Sequence, residues 1–161
     1  MLAVTVVLAG CGGRTGDYRA ASSISRDGFA TSAWDLEELS GQEVKIWGFV
    51  DHGNIRGDRS AKAILGEWWS GDGPSATSWS FNLKADEDDP VGHSFSVHVP
   101  NGAEREALLR AFAADARSHR PTRVFVKGTL HTFDAPTNAA TQTGLYMELR
   151  SSRDILLEPP E

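Results

Sequence analysis

From Glu43 onward, apolar and polar residues alternate in short runs, the pattern of strands with one face buried and the other wet. Val44-Lys45-Ile46-Trp47-Gly48-Phe49-Val50 sets Val44, Ile46, Gly48 and Val50 on one face, and Lys45, Trp47 and Phe49 on the other. Trp79-Ser80-Phe81-Asn82-Leu83 and Phe95-Ser96-Val97-His98-Val99 repeat the alternation. Val124 to Leu130 and Leu145 to Leu149 have the same period, and Asp154-Ile155-Leu156-Leu157 adds a last extended piece. Between the third and fourth runs the period changes. Leu108, Leu109, Phe112, Ala113 and Ala116 form a stripe at helical spacing. Asn101 with Glu104 three residues on has the spacing of a capping box. Arg117, His119 and Arg120 suit the negative end of the helix dipole, and Pro121 blocks continuation.

Ahead of these elements, Gly12 to Ala33 is rich in Gly, Ser, Arg and Asp and keeps no period, which predicts a flexible linker. Trp34 and Leu36-Glu37-Glu38-Leu39 make a short lead-in element that closes at Ser40-Gly41. The expected organisation is a leader over 1–11, linker and lead-in over 12–41, one folded domain over 42–158 and a tail over 159–161. A length of 161 residues fits one domain plus a tether.

Three strands, a helix and two strands follow the order of the OB-fold, a five-stranded, partly open Greek-key barrel. The fold class expected is therefore mainly β, with one helix between strands three and four plugging one end. Strand one reads Val44-x-Ile46-x-Gly48-x-Val50 and strand four Val124-x-Val126-x-Gly128-x-Leu130. A glycine at the matching place in each permits the sharp bend that closing a small barrel needs. Together with the closing Leu149…Asp154-Ile155, the stretch from Gln42 to Leu157 resembles OB domains of the tRNA-anticodon-binding type and periplasmic bacterial OB proteins. An open α+β sandwich, with the helix on one sheet face, satisfies the same strand spacing.

Such folds bind ligands over strands two and three and the adjoining loops. The first loop, from about His52 to Ser78, carries Trp68-Trp69; the second runs from Asp134 through Asn138 to Thr143. Candidate ligand-binding residues are therefore Trp47, Phe49, Trp68, Trp69, His98 and Asn138. The bland alternative is that Trp68 and Trp69 cap the barrel mouth and cover core.

Charge narrows the partner. Net charge is −6, with 16 Lys plus Arg against 22 Asp plus Glu. Phosphate backbones are held by Lys and Arg that displace counterions, so a nucleic-acid partner is disfavoured. A single-stranded nucleic-acid binder stays as an alternative. No phosphate loop or nucleophile elbow is present. His52, His93, His98, His119 and His131 lack metal-ligand spacing, so no metal, cofactor or enzyme activity is expected. A hydrolytic or metal enzyme would need at least three of these histidines in one pocket. Asp86-Glu87-Asp88-Asp89 lacks the alternation of a calcium loop and fits a solvated hairpin tip.

The N-terminus suggests an address. Val4, Val6 and Val7 precede Leu8-Ala9-Gly10-Cys11, and Cys11 is the single cysteine. This run resembles the lipobox of bacterial lipoproteins, although it opens without the basic residue of a signal peptide, as a truncated leader would. The resemblance implies cleavage before Cys11, a diacylglycerol on its thiol and a place in the cell envelope. Gly12 after the cysteine implies the periplasmic side of the outer membrane. The apolar run is too short to cross a bilayer as a helix, which takes about 20 residues. Taken together, these readings imply a lipid-anchored OB protein that binds another envelope protein or a small ligand.

Overall fold

The computed structural model describes residues 16–24, 37–66, 77–90, 94–136 and 141–160. Its order is β1 (Arg19–Ala20), β2 (Glu43–Arg56), α1 (Arg59–Leu65), β3 (Ser78–Lys84), β4 (Ser94–Pro100), α2 (Arg105–Arg117), β5 (Arg123–Pro136), β6 (Thr141–Glu148) and β7 (Ile155–Leu156). Short 3-10 turns follow β1 and precede β7. The chain is mainly β. All seven strands belong to one sheet in the order β1-β2-β3-β4-β6-β5-β7, and β2 also pairs with β5. That extra pairing makes β2, β3, β4, β6 and β5 a ring, an OB-like arrangement. β1 and β7 are two short strands outside the ring: β1 was not among the expected strands, and β7 falls on the last extended piece, Asp154 to Leu157.

The ring turns its corners at the two matched glycines. β2 pairs with β5 from Glu43 to Phe49 and with β3 from Phe49 onward, so Phe49 bonds both ways and Gly48 sits at the crossing. A Cβ on Gly48 would lie 2.5 Å from the Lys84 carbonyl oxygen. β5 changes partner from β2 to β6 at Thr129, beside Gly128, where a Cβ would lie 2.7 Å from the Glu148 carbonyl oxygen. Only a hydrogen leaves room for the neighbouring backbone at either corner.

Inside the ring, the alternation holds. Val44, Ile46 and Val50 of β2, Trp79, Phe81 and Leu83 of β3, and Val97 and Val99 of β4 are buried, with Val124, Val126 and Leu130 of β5. α2 closes one end through Leu108, Leu109, Phe112 and Ala113, and the Phe112 ring meets those of Phe81 and Trp79 at 5.5 and 6.2 Å. The α2 cap differs from the expected box. Glu104 is the N-cap residue without a side-chain cap bond. Its carboxylate instead accepts from Arg153 at 2.8 Å, which draws the Glu104 pKa below its ordinary value.

Two stretches expected to be irregular hold structure. Inside the expected linker, Arg19–Ala20 pairs in parallel with Ile46–Trp47, and Ala21 and Ile24 bury against the sheet. Inside the expected first loop, β2 continues to Arg56 and α1 follows. Asp58 caps α1 by accepting from the Ser60 and Ala61 amides, while Ala61 and Leu65 face inward. The Arg105 guanidinium lies 2.8 Å from the same carboxylate and ties α1 to α2. Cys11, Trp68, Trp69, His93 and Asn138 lie outside the described residues. No helix among the described residues is long and apolar enough to cross a membrane.

Candidate functional site

The outer face of β4, β6 and β5 carries a row of rings. Tyr146 pairs across the ladder with His131 of β5 and Ser96 of β4. Side chains at opposite and diagonal positions of adjacent strands lie within reach of each other. The His131 ring stacks on Tyr146 with centroids 5.1 Å apart and planes 23° apart. On the other side His98 approaches Tyr146 at 5.0 Å and 32°. Phe133 completes the row at 6.2 Å from Tyr146. Its own cross-strand partner is Gly144, and the Phe133 ring lies where a Gly144 side chain would be. That absent side chain lets the ring lie flat against the β5–β6 pair, yet Phe133 keeps 47% of its surface exposed.

The electrostatics around the rings are balanced. His131 Nε2 stands 3.5 Å from Glu148 Oε2. Burial lowers the His98 pKa below 6.5, against the opposing pull of Glu148. His98 is therefore neutral at pH 7, and a neutral ring presents its face without a charge to desolvate. Nearby cations on β2, on β5 and just past β6 are already paired: Lys45 with Asp17 at 3.2 Å, Lys127 with Glu43 at 3.3 Å, and Arg150 with the same Glu43 at 3.2 Å.

The expected platform of Trp47 and Phe49 is assembled but covered. The two rings meet at 6.2 Å, and the Arg123 guanidinium lies over both, 5.0 Å from Trp47 and 5.4 Å from Phe49. A cation over an aromatic face is attracted to it, and here the cation is the chain's own. Phe49, expected on a wet face, is 9% exposed as a result. Of the candidate residues within the described stretches, Trp47 and Phe49 thus come together, whereas His98 joins Tyr146, His131 and Phe133. Those three were missed. Their signal was present as His131-x-Phe133 and Tyr146, outward positions on the two strands of one hairpin.

A second concavity, of about 420 Å³, lies between β2, the end of α2 and the β3–β4 turn. Asp51 and Ile55 bracket a break in register that leaves residues 52–54 out of the ladder. Asp51 holds this bulge: its buried carboxylate accepts from the Gly53 amide at 3.1 Å, Asn54 Nδ2 at 2.8 Å and the Ser94 hydroxyl at 3.2 Å. The bulge turns His52 toward α2, with Nε2 2.8 Å from Thr122 Oγ1. The Thr122 hydroxyl donates to Asp115 at 2.9 Å. A hydroxyl has one proton, so His52 Nε2–H is the donor to Thr122 and Nδ1 is an acceptor. Burial pushes the His52 pKa below 6.5 and keeps it neutral, although Asp115 and Asp51 pull the other way. His119 lines the same cleft, in a left-handed backbone with φ of 51°. The described histidines thus fall into two pairs on separate surfaces. Among the described residues no three His, Cys, Asp or Glu side chains gather as metal ligands.

No protein-family model matches the chain, and no curated protein matches it significantly. Among solved structures, an aspartyl-tRNA synthetase from Entamoeba histolytica is similar with a TM-score of 0.39 and 14% identity, over 81% of this chain and 22% of that one. A putative aspartyl-tRNA synthetase from Leishmania major Friedlin is similar with a TM-score of 0.39 and 12% identity, over 76% of this chain and 22% of that one. The chain thus spans 22% of the length of each of these two synthetase chains.

Proposed function

We propose that this chain is a binding module built on a five-stranded OB-type barrel, anchored to a bacterial cell envelope through an acylated Cys11. It holds a neutral planar group on its ring face, either an aromatic side chain of an envelope protein or a small ring compound. The observation that carries this reading is Tyr146 held between His98 and His131 on the outer surface, with Phe133 exposed beside it. Rings that served packing alone would be covered; this row is open to solvent at Phe133 and His98.

The surrounding charge supports a neutral partner over a phosphate chain. A nucleic-acid strand needs cations able to displace its counterions, and Lys45, Lys127 and Arg150 are each engaged by a carboxylate. The anchor is supported by the apolar run ending in Leu8-Ala9-Gly10-Cys11. Two acyl chains on one cysteine meet the general requirement that stable membrane attachment take more than a single chain.

An NMR titration tests the module. Indole, adenosine and a ten-residue thymidine oligonucleotide are added in turn at low and high salt, with aromatic and imidazole resonances followed. The expected result is that a neutral ring compound shifts Tyr146, His98 and His131, and that Tyr146→Ala weakens binding about tenfold, since one stacking contact is worth ~1–3 kcal/mol. Tight, steeply salt-dependent binding of the oligonucleotide would replace this reading with a nucleic-acid one. No shift at those rings with any of the three would remove the ring face as the site.

A further inference from the structure

An apolar patch lies where the N-terminal chain joins the domain. Leu156 and Leu157 are 36% and 40% exposed, and with Phe133 they are the large hydrophobic side chains that stand exposed among the described residues. They border a shallow cavity of about 820 Å³ together with Ala107, Leu108, Pro159 and Pro160. Gly16 backs onto its wall: a Cβ there would lie 3.2 Å from Pro160 Cγ, and its φ of +57° is one that glycine adopts readily. From Gly16 the chain runs straight into contacts with the domain. The Tyr18 ring meets Phe125 edge-on at 5.7 Å, and β1 then joins β2. Nothing from Gly16 to Ile24 is left to act as a loose tether.

The distance from Cys11 to this patch is therefore short. Five peptide steps separate Cys11 from Gly16, and at full extension they span at most ~18 Å. A lipid on that cysteine keeps the patch within that reach of the bilayer. At so short a range the effective concentration of lipid surface is high, so contacts too weak to recruit a free protein are enough to orient a tethered one. On the rim Glu104 and Arg153 pair at 2.8 Å, and Glu158 adds a single further carboxylate.

We propose that the patch formed by Leu156, Leu157, Pro159 and Pro160 is a lipid-facing surface on which the domain lies against the bilayer. This rests on the reading of Cys11 as an acylated anchor. The ring face, centred on Tyr146, belongs to other strands and is left to meet its partner.

The experiment uses the full chain, produced in a bacterium behind a short basic segment that completes the leader, and reconstituted into phosphatidylcholine vesicles. Leu157→Cys and, as a reference, Asp88→Cys are labelled with an environment-sensitive nitrobenzoxadiazole probe. Mass spectrometry of the N-terminal peptide reads acylation separately. The expected result is a diacyl mass, a blue-shifted probe at position 157, and several-fold less iodide quenching there than at position 88. A diacyl mass with equal quenching at both positions overturns the lipid-facing surface and leaves the anchor standing. A missing acyl mass overturns both. A blue shift that grows with protein concentration at constant lipid assigns the patch to a second copy of the chain and overturns the proposal.

Discussion

At the scale of single residues, one glycine and two histidines make the sharpest predictions. Gly48 stands where β3 crosses closest, and a methyl group there meets the Lys84 backbone rather than a side chain that can rotate away. Gly48→Ala is expected to destabilise by about 2–3 kcal/mol, the upper part of the usual overpacking range. Urea unfolding should show a lower midpoint at unchanged slope. A loss below about 0.5 kcal/mol would mean that the corner is looser than described. His52 and His98 both have pKa values lowered mainly by burial. A lowered folded pKa means that the unfolded chain takes up the proton first. Their contribution to stability is thus present above about pH 6.5 and is lost as pH falls through the folded values. NMR titration should place both midpoints under 6.5; a midpoint above it at His52 would contradict its neutral, Thr122-bound state.

At the scale of elements, α1 depends on one carboxylate. Asp58 caps the helix, and Arg105 and Ser60 hold its ionised form, so its pKa lies far below the ordinary carboxylate range. Loss of a capping Asp costs about 0.5–2 kcal/mol, and Asp58→Ala should fall at the upper end because it also removes the carboxylate that pairs with Arg105. The sign with pH follows from the depressed value. The contribution is complete above about pH 4, the unfolded pKa, and declines as pH falls below it. Stability of the wild type and Asp58→Ala measured between pH 7 and pH 2 should therefore converge at the acid end, whereas curves that stay parallel would exclude the ionised cap.

The strands were legible because a strand with one buried face writes its period into five residues of local sequence. The stripe of α2 was legible for the same reason. α1 left a readable sign, Asp58 before Arg59-Ser60-Ala61 and Gly66 after Leu65, but seven residues span too few turns for a helical period to stand out. The extension of β2 past Val50 was hidden by its bulge, since Asp51 is a buried acid whose partners are Asn54 and Ser94. The ring face was the least legible part. His131 and Tyr146 belong to one hairpin, whereas His98 joins them only through the parallel pairing of β4 with β6. That pairing links residues 50 positions apart, and no local pattern specifies it.

For the whole molecule, ring closure is what turns separate strands into a site. β3 joins β4 and β5 joins β6 as antiparallel neighbours, and the three pairings of Ser96–His98 with Tyr146–Glu148 unite the two halves. An open sandwich would keep the β5–β6 hairpin and lose His98 from it. The distinction is readable between protons. In a nuclear Overhauser experiment on protein with labelled Tyr and His rings, Tyr146 should show cross-peaks to both His131 and His98. Cross-peaks to His131 alone, with none to His98, would contradict the closed ring and the binding face it creates.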